Sequence, residues 1–371
     1  MITWRSGTVV SLGATWAGAY ELVVQTPEGP VRALAYPALV GQAAVGERVL
    51  LNVTALARGL GTGGYAMVVA CPDTLPEDPA PGPGHLVKAR YTPEQAMVLG
   101  VDEQESVHHE LLREADDLGG LPVVVADLHS SLPAVVAGAR WAAEVAGRAV
   151  PRVVYVMTDG GALPAWFSRT VAALREAGWL EASITVGQAF GGDLEAVTVH
   201  TGLLAAQRVC AADLVVVAQG PGNLGTGTRW GFSGVAAGEA INAAGVLGGR
   251  AIAALRVSGA DPRSRHHGVS HHSLTTYGRV ALMPADVVVP VGEVDDPDRS
   301  ALRAVIRGQA ATLCAPQGRH RLVEVAVHAE LESVLARTPV RLSTMGRGLD
   351  ADPEAFLAAA VAGVHAARLT R

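Results

Sequence analysis

Histidines are concentrated in one short stretch of this chain, Arg265-His266-His267-Gly-Val-Ser-His271-His272. Imidazole ligates transition metals, moves protons near neutral pH and, when charged, attracts anions. His267 and His271 have the i, i+4 spacing that presents two imidazoles on one helical face. Gly268 stands where a zinc protease of the HExxH type needs its glutamate, so that mechanism is excluded. Carboxylates and a further imidazole lie elsewhere: Asp127 and His129 in Asp127-Leu-His129-Ser-Ser131, Asp159 in Thr158-Asp-Gly-Gly161, Asp193 after Gly191-Gly192, and Asp261. A mixed nitrogen and oxygen site for zinc, manganese or iron is expected from Asp127, His129, Asp159, His267 and His271. For acid/base work the expected set is Asp127, His129, Asp159, Asp193, His271 and His272. The same histidines and arginines also suit an anion without a metal, and both readings stay open here.

The second chemistry-bearing segment is Gly220-Pro-Gly222-Asn-Leu-Gly225-Thr-Gly-Thr-Arg229. Its GxGxxG spacing lets backbone amides close on a phosphate. Pro221 removes one amide, and no acid ends a following strand about twenty residues on, so a standard NAD site is disfavoured. An anion-binding nest of Gly220, Gly222, Gly225, Thr226, Gly227, Thr228 and Arg229 suits phosphate or carboxylate; a tight turn alone is the competing reading. Gly231-Phe-Ser233-Gly-Val235 lacks the last glycine of a nucleophile elbow, and Ser233 reads as a helix cap. Arg341-Leu-Ser-Thr-Met-Gly-Arg347-Gly348 reads either as a flap bringing Arg341 or Arg347 to an anion or as a connector.

These segments need elements to position them. Short Val-, Leu- and Thr-rich runs at Thr8 to Leu12, Ala19 to Gln25, Val31 to Tyr36, Arg48 to Val53 and Tyr65 to Ala70 read as a small β-barrel or sandwich over residues 1–71. Five prolines between Pro72 and Gly84 make a stiff linker over residues 72–84. From residue 85 to 371 the pattern alternates apolar runs with Ala-rich helical stretches, the mark of a Rossmann-like α/β domain: a mainly parallel sheet with helices on both faces. The strands expected are Pro122 to Ala126, Arg152 to Met157, Ser183 to Val186, Asp213 to Ala218, Arg250 to Val257 and Asp286 to Val289. Helices are expected from Pro133 to Gly147, Pro164 to Gly178, Leu194 to Val209, Ser233 to Leu247 and Asp352 to Arg368. The polar and glycine-rich segments all follow strands, where ligands of open α/β sheets bind, while the helix-to-strand turns are plain. Good turn and cap chemistry alone is the plainer explanation of that asymmetry.

Composition narrows the partners. The 29 Lys and Arg against 35 Asp and Glu leave a net charge of −6 with no basic stripe, which argues against nucleic acid. Ala, Gly and Pro interrupt the apolar runs, so no membrane span is expected. The start lacks a secretory pattern, and Cys71, Cys210 and Cys314 are widely spaced, which together point to the cytoplasm and reduced thiols. A homo-oligomer is compatible with the sequence.

Six segments of the chain stand out together: Val87-Lys-Ala-Arg-Tyr-Thr-Pro93, Thr158-Asp-Gly-Gly-Ala-Leu-Pro164, Ala189-Phe-Gly-Gly-Asp193, Gly225-Thr-Gly-Thr-Arg-Trp-Gly-Phe232, Ser270-His-His-Ser-Leu274 and Arg341 to Gly348. Jointly they resemble a bacterial family described as a domain of unknown function, of the DUF 3866 type. The resemblance spans most of the chain and brings no activity and no catalytic residues. The functional expectation is an enzyme acting on a small phosphorylated or carboxylated metabolite, by metal-assisted hydrolysis or group transfer. A divalent metal is the cofactor the residues suggest. The alternatives are a nucleotide or metabolite sensor without turnover, and a scaffold for protein partners.

Overall fold

Alternation sets the first unit. Along Ala19–Thr26, Tyr20, Leu22, Val24 and Thr26 are buried while the residues between are more accessible, as a strand with one face on a core requires. The computed structural model describes residues 1–315 and 318–370. It comprises two compact units: Met1–Leu99 with Trp166–Ala172, and Gly100–Ala165 with the chain from Ala173 onward.

In the first unit, β1 (Trp4–Trp16), β2 (Ala19–Thr26), β3 (Gly29–Ala35), β4 (Arg48–Asn52) and β5 (Ala66–Ala70) close into a barrel in the order β1-β2-β3-β5-β4. Helix α1 (Pro37–Val40) follows β3, and a hairpin of β6 (Leu86–Lys88) and β7 (Ala96–Val98) follows the proline-rich stretch. Val9, Leu22, Val24, Val49, Leu51 and Val68 fill the barrel. No helix or strand occurs between Ala70 and Leu86, where prolines remove ladder donors. The unit extends past that stretch to Leu99 and takes in the segment Trp166–Ala172.

The second unit begins with α2 (His109–Leu112) and is built on an eight-stranded sheet, all parallel: β8 (Pro122–Ala126), β9 (Val153–Thr158), β10 (Ala182–Thr185), β11 (Leu194–Glu195), β12 (Leu214–Gln219), β13 (Arg250–Ala254), β16 (Asp286–Val291) and β17 (Arg321–Ala326). A small antiparallel pair, β14 (Val257–Ser258) with β15 (Gly268–Val269), lies between β13 and β16. Another, β18 (Ser343–Thr344) with β19 (Arg347–Gly348), precedes the last helix. Helices α3 (Leu132–Val145), α5 (Val199–Arg208), α6 (Ala236–Val246), α7 (His271–Thr275), α8 (Pro297–Cys314), α9 (Ala329–Leu335) and α10 (Pro353–Leu369) complete the unit, with α4 (Arg169–Glu176) starting in the segment grouped with the barrel. Strands such as β8 are buried on every residue, as continuous Val runs between two helical layers should be.

The fold is the Rossmann-like α/β arrangement that the sequence implies, with a closed barrel before it. Several elements of the sheet unit escaped the sequence reading, among them β11, β17, α8 and α9. Leu194–Glu195 is a strand rather than a helix start; Glu195 is held by the Thr185 hydroxyl at 2.6 Å and the Gly191 amide at 2.6 Å. Helix α5 therefore begins at Val199, where Thr198 Oγ1 accepts from the Thr201 amide. In α8, Leu302, Ile306, Ala310 and Cys314 form a buried i, i+4 stripe, and Asp296 caps the first turn. Among the described residues no helix is long and apolar enough to cross a membrane.

Candidate functional site

The strand order β11-β10-β9-β12-β8-β13-β16-β17 fixes where a crevice can open. Neighbouring strands β8 and β13 lead away in opposite directions, β8 toward β9 and β13 toward β16; β9 and β12 also diverge. Loops that part company leave a gap at the strand C-termini, the usual ligand position in such sheets.

Asp127 follows β8 directly and is 1% exposed. Neither of its carboxylate oxygens has a hydrogen-bond partner among the described residues. The backbone of Gly234 closes over it, with an added Cβ there falling 3.1 Å from Asp127 Cβ. Burial pushes the carboxyl up to about 6, against the opposing pull of the Arg256 guanidinium. Arg256 is itself 8% exposed, follows β13, and donates from Nη1 to His272 Nδ1 at 3.1 Å. It was missed in the sequence, although an arginine at the end of an expected buried strand was a usable signal.

The histidine stretch does not form the expected helical pair. Ser264–His266 is a 3₁₀ turn, Gly268 takes a left-handed φ of 70° and pairs in β15, and a helix starts only at His271. That break turns His267 outward, where it is exposed, and brings in the neighbouring His266 instead, 2% exposed. One nitrogen from each of His266, His271 and His272 lies within 4.8 Å of the others. Phe232 stacks flat on His272 at 3.8 Å between centroids, and His266 Nδ1 meets Ser270 Oγ at 2.7 Å. His271 Nε2 is buried without a hydrogen-bond partner among the described residues. Burial first, then Arg256, depresses His272 to about 3 and His266 to about 4; burial and then Arg265 lower His271. All three rings are therefore neutral at physiological pH.

Asp261, Asp352, Arg263 and Arg347 brace this corner. Arg263 grips Asp261 with Nε at 2.9 Å and Nη2 at 2.8 Å, a fork that holds the carboxyl well below the usual range. Arg347, from the expected flap, donates to Asp352 at 3.1 Å and Asp261 at 3.3 Å, whereas Arg341 is exposed. Asp352 stands at the N-cap position of α10 but makes no capping hydrogen bond; its carboxylate accepts from Ser258 Oγ, the Gly259 amide and Arg347 instead.

Other predicted residues sit elsewhere. His129 is buried beside α3, its Nδ1 3.1 Å from the Tyr155 hydroxyl, which itself donates toward the Ala218 and Gln219 carbonyls. Burial lowers His129 to about 4. Asp159 is exposed on the rim, and its carboxylate accepts from the Gln188 amide at 2.9 Å. Asp193 lies at the opposite edge of the sheet: it accepts from the Ser183 amide at 2.7 Å and Oγ at 2.9 Å, at the start of β10. The chain after β10 doubles back to lay β11 parallel beside it, so its residue 193 returns to the N-terminal edge. The expected metal set of Asp127, His129, Asp159, His267 and His271 is thus not assembled as one cluster.

In the glycine-rich loop, Gly220 is buried and the residues from Gly222 to Arg229 are mostly exposed. Thr226 and Thr228 hydroxyls are 3.1 Å apart; Thr228 accepts from the Gly231 amide and Thr226 donates to the Gly231 carbonyl. Gly161 and Gly220 meet backbone to backbone: a Cβ on Gly161 would stand 2.2 Å from the Gly220 carbonyl oxygen. Close approach of the β9 and β12 loops thus accounts for these two glycines, while Gly222, at φ 95°, faces open space.

Fold and strand order together define a Rossmann-like α/β protein whose strand C-termini carry clustered histidines and arginines. Residues 32–363 match the family described as "Protein of unknown function (DUF3866)", and the chain belongs to that family. No curated protein matches the chain.

Proposed function

We propose that the α/β unit is an enzyme acting on a small phosphorylated or carboxylated metabolite, bound where β8 and β13 diverge. The reaction is hydrolysis or group transfer, with Asp127 moving the proton and Arg256 holding the anion. The observation that carries this reading is the Asp127 carboxylate, buried with both oxygens unbonded. Burying such a group without hydrogen bonds is costly, and folds tolerate the cost chiefly where function requires it. Held up to about 6, the group exchanges protons readily near neutral pH. The Arg256 guanidinium supplies a buried, permanently charged partner for phosphate or carboxylate.

The test is a thermal-shift panel of inorganic phosphate, nucleoside monophosphates and short dicarboxylates, followed by turnover assays on any ligand found. A genuine ligand stabilises wild type and Asp127→Asn but not Arg256→Met, and Asp127→Asn slows turnover by about 100-fold or more. Equal binding by Arg256→Met overturns the assignment; binding without turnover by wild type favours a sensor.

A further inference from the structure

We infer that His266, His271 and His272 form a binding site for a divalent transition metal, zinc being the best fit. All three come from a seven-residue stretch whose shape is set locally, by the 3₁₀ turn, the β14–β15 pair and the first turn of α7. The ring centroids are 5.0 Å apart for His266 with His271, 5.0 Å for His266 with His272 and 4.3 Å for His271 with His272. A tetrahedral ion with Zn–N bonds of about 2.0 Å spaces its nitrogens by about 3.3 Å. The candidate nitrogens lie within 4.8 Å of one another, so modest ring rotations close the shell.

Two details point to a ligand rather than to packing. His271 Nε2 is buried and makes no hydrogen bond among the described residues, which an imidazole that merely filled space would seldom do. His266 is oriented through Nδ1 by the fully buried Ser270, the kind of outer contact that fixes a metal-binding tautomer and leaves Nε2 free. Donor chemistry selects the metal: three imidazoles without a carboxylate suit zinc, nickel or copper over magnesium or calcium. Asp261 is not a fourth ligand, because Arg263 and Arg347 occupy its oxygens.

Arg256 competes for the third ring. By donating to His272 Nδ1 it places the proton of the neutral ring on Nε2, so His272 joins the shell only as that bond is released. Three protein nitrogens leave one position open, and with Arg256 adjacent that position favours an anionic ligand. The inference stands apart from the proton-transfer role of Asp127, since it concerns metal capture without turnover.

The experiment uses the full chain, stripped with a chelator and titrated with cobalt(II), then with zinc(II) in competition. Wild type is expected to develop the visible d–d absorption of tetrahedral cobalt at about one equivalent, and zinc to bleach it. His266→Ala and His271→Gln, each checked for folding by circular dichroism, are expected to weaken binding by about 100-fold, and Ser270→Ala by about 10-fold. The exposed His267→Ala keeps the signal unchanged. Arg256→Met, which loses the anion in the preceding proposal, retains cobalt at least as tightly; the two proposals therefore fail separately. Absence of a cobalt band in wild type, or a band that survives both His266→Ala and His271→Gln, overturns the site.

Discussion

Replacing Asp127 by asparagine should shift stability in favour of the variant as pH rises. The carboxyl is raised from 3.8 to about 6 by burial, a displacement worth about 3 kcal/mol between folded and unfolded states. The sign follows from proton counting: between the two values the folded chain binds the proton that the unfolded chain has released. Stability from this group is therefore present in full below 3.8 and is lost as pH rises through about 6. Asparagine has nearly the same shape and does not titrate. Its own buried amide costs about 1–3 kcal/mol, but that cost is independent of pH and cancels when two pH values are compared. Urea unfolding of both proteins at about pH 5 and about pH 8 should show the advantage of the variant growing by about 1.4 kcal/mol. An advantage that stays constant across that range would show that Asp127 is not a buried, unpaired carboxylate, and the functional reading would lose its main support.

Three further outcomes follow from named contacts. Glu354, 1% exposed, accepts from Arg299 at 2.9 Å and Arg303 at 3.0 Å; Glu354→Gln should cost about 3 kcal/mol in urea unfolding at neutral pH, because the buried Arg303 loses its near counter-charge, whereas the partly exposed Arg299 keeps Glu332 at 2.7 Å. Gly161→Ala should lower stability by about 1–3 kcal/mol, since the new methyl meets a backbone oxygen that cannot move aside alone; a neutral result would mean the β9 and β12 loops are not in contact. Asp193→Asn should change stability by no more than about 1 kcal/mol, its ion pair with Arg175 being substantially exposed. It should leave cobalt binding and anion binding as in wild type; a loss of either in titration would place Asp193 at the rim after all.

Much of the architecture was written in local patterns. Continuous Val runs at Pro122–Ala126 and Leu214–Gln219 became central parallel strands, and period-two alternation with regular turns became the barrel. What failed locally was short or ambiguous. Leu194–Glu195 has too few residues to show a period, and its pairing with β10 is a long-range fact. Asp193 followed a strand in sequence but returned to the other edge, because chain order alone does not say how far a loop travels before the next strand starts. His266 and His267 are adjacent imidazoles, and only the left-handed turn at Gly268 decides which one faces inward.

By itself, then, the sequence determined the layered α/β class, the barrel before it and the segments rich in histidine, aspartate and glycine, since periodicity and turn chemistry are properties of neighbouring residues. Tertiary structure decided which of those residues share an environment. Arg256 reaches His272 and faces Asp127 because β13 lies beside β8 in the sheet, and Asp127 is stripped of water because Gly234 closes over it. Burial and charge at a point in space are sums over groups far apart in the chain, and no local pattern carries them.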